Sequence, residues 1–191
     1  MENAILTANQ PAEAATPAER DYAARYLAAT RDRLAEALKG LSDAQWNFKS
    51  QPNRWSIAEI VEHLTIIEDR VKDIIAGLPQ AAADSPERDV KQMDATIVAA
   101  IPIRYPRFEA PPRVSPVGGR SGSQAFEQLL ASRARTIEAA ATATHLRGRI
   151  FPHPIFGPWD GYQWLLGVSA HCCRHTGQIL ELREDPSFPK A

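Results

Sequence analysis

The sequence predicts an all-α fold, an antiparallel four-helix bundle with one long crossover connection. Three observations predict it. Four long stretches place apolar residues three or four apart, the period of a helix with one buried face. Helix-start signatures stand in front of three of those stretches. No apolar/polar alternation of the strand type runs beyond a few residues. At 191 residues, with 44% apolar and 24% charged side chains, the chain is one domain able to bury a core without disulfides or a structural metal. That domain is expected over 17–185, between a disordered N-terminal tail (1–16) and a C-terminal tail (186–191).

The first helix opens at Thr16-Pro17-Ala18-Glu19, a capping box with proline at the first helical position, and stops near Gly40. Its stripe is Tyr22, Tyr26, Leu27, Leu34, Leu38 and Leu41. Trp46, Phe48 and Pro52 make the next connection an ordered short turn. The second helix begins at Ser56, with Glu59 completing a capping box and Trp55 and Ile60 a staple across it, and ends at Gly77 and Pro79. A long gap follows, from Pro79 to Gly122. A short helix is expected at Arg88–Ala100, and the proline-rich remainder is irregular, either a functional cover or a mobile loop.

The third helix runs from about Ser123 to Thr144. Arg133 falls on its inward row, where its head either reaches water past an apolar stem or enters a pocket to hold an anion. His145 to Pro158 reads as a chain reversal stiffened by Pro152, Pro154 and Pro158. The fourth helix, from Asp160 to Glu184, is capped by Asp160 with Gln163 and stapled by Trp159 with Trp164.

The core row of that last helix would be Trp164, Val168, His171, His175, Ile179 and Leu182. Both histidines stand where a bundle helix normally carries leucine or isoleucine. Burying two imidazoles on adjacent turns requires partners for their nitrogens, and a divalent metal satisfies two at once. His63, at the edge of the second helix's stripe, can supply a third nitrogen from a neighbouring helix. Three protein ligands leave a coordination position open, the mark of a catalytic rather than a structural site. Three neutral ligands also leave the ion its full charge, so a thiol or water beside it loses a proton near neutral pH. A protease of the H-E-x-x-H type is excluded, because no glutamate follows His171.

The run Trp55-Ser56-Ile57-Ala58-Glu59-Ile60-Val61-Glu62-His63-Leu64, followed by His171-x-x-x-His175-x-x-Gln178-Ile179, resembles the DinB-like four-helix-bundle superfamily, which is unrelated to the DNA polymerase of that name. Leu41-Ser42-Asp43-Ala44-Gln45-Trp46 and Pro152-His153-Pro154-x-Phe156-Gly157 look like one branch of it. The resemblance spans the chain apart from its N-terminal tail. It implies that His63, His171 and His175 hold zinc or nickel at one end of the bundle. It also implies an enzyme that transfers a low-molecular-weight thiol (bacillithiol, mycothiol or glutathione in characterised members) to an electrophilic small molecule through a metal-bound thiolate. A hydrolase using metal-bound hydroxide, and a metal-binding stress protein without turnover, are the alternatives.

Other residues are candidates for the surroundings of such a site. Glu68 either orients a ligand histidine or pairs with an arginine. His153 either reaches the mouth of the site or serves its turn. Cys172 leans inward as a small buried residue, Gln178 follows the histidine pair, and Gly118-Gly119-Arg120-Ser121-Gly122 precedes a helix start, where anions can be cradled. A net charge of −1 excludes a nucleic-acid or anionic-membrane surface, and no apolar run is long enough to span a bilayer. Two adjacent cysteines and no basic, apolar leader point to the cytoplasm. The expected partner is a small-molecule substrate, with pairing to a second copy of the chain left open.

Overall fold

Thr16, Ser56, Ser121 and Asp160 each cap a long helix in the same way. Each side chain accepts the backbone N–H three residues on, and the glutamate or glutamine there reaches back to the cap's own N–H. The fold is that of a computed structural model, which describes residues 14–106 and 108–190. The bundle helices are α1 (Pro17–Leu38), α3 (Ile57–Gly77), α5 (Gly122–Thr142) and α6 (Gly161–Arg183). Two shorter helices accompany them, α2 (Asp43–Trp46) and α4 (Val90–Ala100). Among the described residues no helix is long and apolar enough to cross a membrane.

Cross-helix contacts give the directions. Cys172 lies by Thr30 and Arg183 by Ala37, so α1 and α6 run parallel. Glu62 meets Arg120 and Glu68 meets Arg133, so α3 and α5 run parallel too. Arg20 donates to the carbonyls of Ala140 and Ala141, while Thr30 meets Arg133, which sets α1 against α5. The one long crossover, 78–121, is what lets α5 follow α3 in the same direction. Two apolar clusters fill the interior. One gathers Leu27, Val71, Leu78, Trp159, Leu165 and Leu166, and the other Leu34, Ile57, Ile60, Leu64, Leu129 and Ile179.

The structure departs from the sequence expectation at four places. The reversal before α6 is a β-hairpin of β2 (Arg149–His153) and β3 (Gly157–Asp160), with β1 (Ala82–Ala83) paired antiparallel to β2. A three-stranded sheet thereby ties the crossover to the loop before α6. The turn after α1 contains α2, capped by Ser42 with Gln45, a box as plain as the others. Of the expected N-terminal tail, residues 1–13 lie outside the described residues, while Ala15 is packed into the core and Thr16 caps α1. The C-terminal tail is docked: Phe188 packs edge-on against Phe48 at 5.3 Å, and Gln45 Nε2 donates to the carbonyl of Pro189.

Candidate metal centre

His171 and His175 occupy adjacent turns of α6, and His63 faces them from the second turn of the antiparallel α3. The Nε2 atoms of His63 and His171 stand 3.3 Å apart, and those of His171 and His175 3.1 Å apart. One nitrogen from each of the three rings falls within 4.8 Å of the others. Trp55 lies against this group, its ring centroid 4.8 Å from that of His63 and 6.4 Å from that of His175.

The outer nitrogens settle what the inner ones present. His63 Nδ1 is 2.7 Å from the carbonyl oxygen of Val114, which can only accept, so the proton sits on Nδ1 and Nε2 carries a lone pair. His175 Nδ1 is held likewise by Gln178 Oε1 at 2.8 Å. Burial pushes the pKa of His63 down, against the Val114 hydrogen bond. Burial, then the neighbouring charges of His175 and His63, push His171 well below the usual histidine range. For His175 burial comes first and the charge of His63 second. In each case the shift favours the neutral ring.

Nitrogen lone pairs at such spacings repel one another unless a proton or a cation lies between them. One Nε2–H on His171 can serve only one of its two neighbours, and His171 Nδ1 is itself buried without a hydrogen-bond partner among the described residues. A divalent ion resolves the conflict. Ligand nitrogens 2.0–2.1 Å from a tetrahedral ion stand roughly 3.3 Å apart, close to the two spacings that His171 makes with His63 and His175. The donor set fits zinc or another imidazole-binding ion.

The triad opens into a cavity of about 910 Å³ between α3, α6, the hairpin and the irregular part of the crossover. That part of the crossover is a wall held in place. Arg174 of α6 donates to the carbonyls of Arg104 and Pro106 at 3.0 and 2.9 Å, and Arg104 pairs with Glu181 at 3.1 Å. The Val114 carbonyl that orients His63 belongs to a short 3-10 turn, Pro112–Val114, in the same segment.

The other candidate residues divide sharply. Gln178 and His153 line the cavity. His153 Nδ1 accepts the backbone N–H groups of Ile155 and Phe156, its ring stacks on Trp159 at 4.0 Å, and burial followed by the charge of Arg70 brings its pKa down to about 4. It is both a turn residue and part of the wall. Glu68 and Arg133 lie elsewhere, in the bundle core. Arg133 is 1% exposed, its Nε donates to Glu68 at 2.7 Å, and its Nη1 donates to Leu27 O and Thr30 Oγ1 at 2.8 Å each. Neither reading of Arg133 from sequence holds: the guanidinium is neither in water nor in the pocket, because a buried carboxylate meets it inside. Of the two roles for Glu68, the structure takes the arginine pair. Cys172 is buried beside them, away from the cavity, and burial raises its thiol pKa. Of the run before α5, Gly118 N and Arg120 donate to the chain's own Glu62, which also accepts from Val117 N.

Sequence reasoning missed Trp55 as a neighbour of the triad, Val114 as its orienting acceptor, and Arg70 and Arg174 as cavity residues. Arg70 had a signal: it follows His63 and Ile67 at spacings of four and three, on one helix face.

A family model described as the DinB superfamily matches residues 26–179. The uncharacterized protein YuaE of Bacillus subtilis (strain 168) is 29% identical over 149 residues, covering 77% of this chain and 88% of that one. Among solved structures, YfiT from Bacillus subtilis, described as "a probable metal-dependent hydrolase with an unusual four-helix bundle topology", matches with a TM-score of 0.62 at 16% identity, covering 93% of each chain. TT2238, described as a four-helix bundle protein, matches with a TM-score of 0.54 at 19% identity, covering 84% of this chain and 96% of that one.

Proposed function

Because the chain belongs to the DinB superfamily and turns three imidazoles onto one point, we propose that it is a divalent-metal-dependent enzyme. Its reaction is the transfer of a low-molecular-weight thiol to an electrophilic small molecule. The observation that carries this is the convergence of the Nε2 atoms of His63, His171 and His175 at one side of a large open cavity. A zinc or nickel ion there supplies Lewis-acid chemistry, lowering the pKa of a thiol or water admitted beside it. His63 and His175 would hold the ion in orientations set by Val114 and Gln178, and His171 would complete the set.

Among the described residues no carboxylate is hydrogen-bonded to the triad, which favours a thiol over water. Ester or amide hydrolysis benefits from a side chain that takes a proton from water and returns it to the leaving group. The carboxylates lining the cavity are Glu109, Glu181 and Asp185. Glu181 is paired with Arg104, and Asp185 accepts Ser187 N. Neither they nor Glu109 hydrogen-bonds to the triad in the described structure. A thiolate would form its C–S bond by displacing a leaving group that departs with its own bonding pair, a step that asks less of a protonating side chain. Hydrolysis is the second reading, favoured by the description of YfiT as a probable metal-dependent hydrolase.

The test is to incubate the metal-loaded protein with a model electrophile and several low-molecular-weight thiols in turn. The same preparation is then given esters and amides without thiol. Thiol consumption that depends on the protein and disappears in His175→Ala is the expected result. Ester or amide cleavage with no thiol-dependent turnover would replace the transferase with the hydrolase.

A further inference from the structure

Eight large apolar side chains stand out into solvent among the described residues, and five of them, Ile103, Tyr105, Phe108, Ile155 and Phe156, line one cavity, the one that ends at the histidine triad. Concentrated exposed apolar surface marks a place where something binds. A concave site of this volume suits a small molecule. The charge at its walls is also one-sided. Five arginines line it against three carboxylates, in a chain whose net charge is −1. Arg104 is neutralised by Glu181, and Arg174 is committed to the carbonyls of the crossover. Arg54, Arg70 and Arg113 have no carboxylate and no side-chain hydrogen-bond acceptor among the described residues, and of these Arg70 stands close enough to His153 for its charge to be felt there.

Arg70 and the triad share a ruler. His63, Ile67 and Arg70 follow one another at spacings of four and three on α3, and all three line the cavity. Seven residues of helix put Arg70 about 10 Å along the axis from His63, with the apolar Ile67 between them. The hairpin and the start of α6 supply flat rings to the same cavity. His153 stacks on Trp159, Phe156 lies nearly parallel to Trp159 with an interplanar angle of 6°, and Trp164 meets Trp159 edge-on at 5.1 Å. Gly167 lets Trp159 settle there, since a Cβ at 167 would lie 2.4 Å from the indole.

We infer that this part of the cavity binds a flat apolar acid, with its aromatic body against Ile67 and the hairpin rings and its carboxylate or comparable anionic group at Arg70. The electrophilic carbon then lies at the histidines, seven residues back along α3 from the arginine's attachment point. The position of the reacting carbon rests on the proposed function, whereas the pairing of an apolar body with an acid at Arg70 does not. Arg70 is exposed at the cavity's edge, so its guanidinium is open to an entering carboxylate, and the hydrogen bonds it would make are of the charge-assisted kind.

Titration calorimetry with 2-naphthoate and its uncharged counterpart 2-naphthylmethanol, on the metal-loaded protein, tests the inference. The acid is expected to bind about tenfold more tightly than the alcohol, the share of one charge-assisted contact. Arg70→Gln should erase that difference and Arg70→Lys should keep most of it, while Phe156→Ser should weaken both ligands alike. The preference should persist in His171→Ala, because the guanidinium and not the metal holds the acid. Equal binding of the two ligands, binding of neither, or a preference that survives Arg70→Gln and vanishes in His171→Ala would overturn the inference. Should the wild type prove to bind no metal yet show the Arg70-dependent preference, the proposed function would fall and this inference would stand.

Discussion

The Nδ1–H of His63 donates to the carbonyl oxygen of Val114 across 2.7 Å. A residue of the irregular crossover thus fixes the tautomer of a bundle-helix histidine and turns its Nε2 lone pair toward His171 and His175. Gln178 does the same for His175. Outer partners of this kind typically carry a 10–100-fold effect on metal affinity.

Gln178→Ala should therefore weaken zinc binding by about 10–100-fold while leaving the circular dichroism spectrum unchanged. Competition with a chromophoric chelator measures this. An unchanged affinity would show that the ring needs no such orientation.

The buried pair of Arg133 and Glu68 should matter for stability alone. Removing one partner leaves an uncompensated charge in the core, a loss of about 3–5 kcal/mol. Urea unfolding of Arg133→Met is expected to show a loss of that size. Metal content per folded chain should stay at the wild-type value, since neither residue lines the cavity. Loss of metal without loss of stability would return the pair to the site.

Glu19 supplies the acid limb of stability. Burial alone would raise its pKa, but hydrogen bonds from Lys91, Arg147 and the Thr16 backbone outweigh burial and lower it to about 2. A carboxylate depressed in the folded state stabilises the fold above its unfolded pKa of about 4.3 and loses that contribution as pH falls toward the folded value. Glu19→Gln should cost about 1–3 kcal/mol at pH 7 and flatten the decline in stability below pH 4.5. Melting temperatures across pH 2–7 check both parts, and parallel curves for wild type and variant would contradict them.

Neither cysteine should act as the nucleophile. Cys172 is 1% exposed, its thiol pKa is raised by burial, and neither Cys172 nor Cys173 lines the cavity. The double variant Cys172→Ala, Cys173→Ala should keep thiol-conjugating activity within about twofold, as expected for packing changes away from the reacting atoms. A fully metal-loaded but inactive double variant would move the chemistry onto the protein's own sulfur.

How far these features were legible in the sequence follows from how local their causes are. Caps at Thr16, Ser56 and Asp160 and the row through His171 and His175 depend on neighbours within one or two turns, so periodicity and residue type sufficed. The fate of Arg133 did not follow, because a helical wheel assigns a face but not the carboxylate waiting there from another helix. The hairpin was hidden by Pro152, Pro154 and Pro158, which read as loop. Its edge strand at Ala82–Ala83 pairs with residues more than 60 positions away. The orienting role of Val114 comes from aperiodic chain, where sequence carries no register at all. By contrast, the cap of α2 at Ser42 and Gln45 was as visible as the rest.

The account rests on the three histidines acting together as one metal site, and metal analysis of the purified protein tests that most directly. Wild type, His63→Ala, His171→Ala and His175→Ala would each be loaded with zinc, treated with a mild chelator, desalted and measured by atomic emission. The account predicts about one ion per wild-type chain and, with a ligand missing from an open three-ligand site, almost none in each of the three variants. Equal retention in wild type and His171→Ala would contradict it.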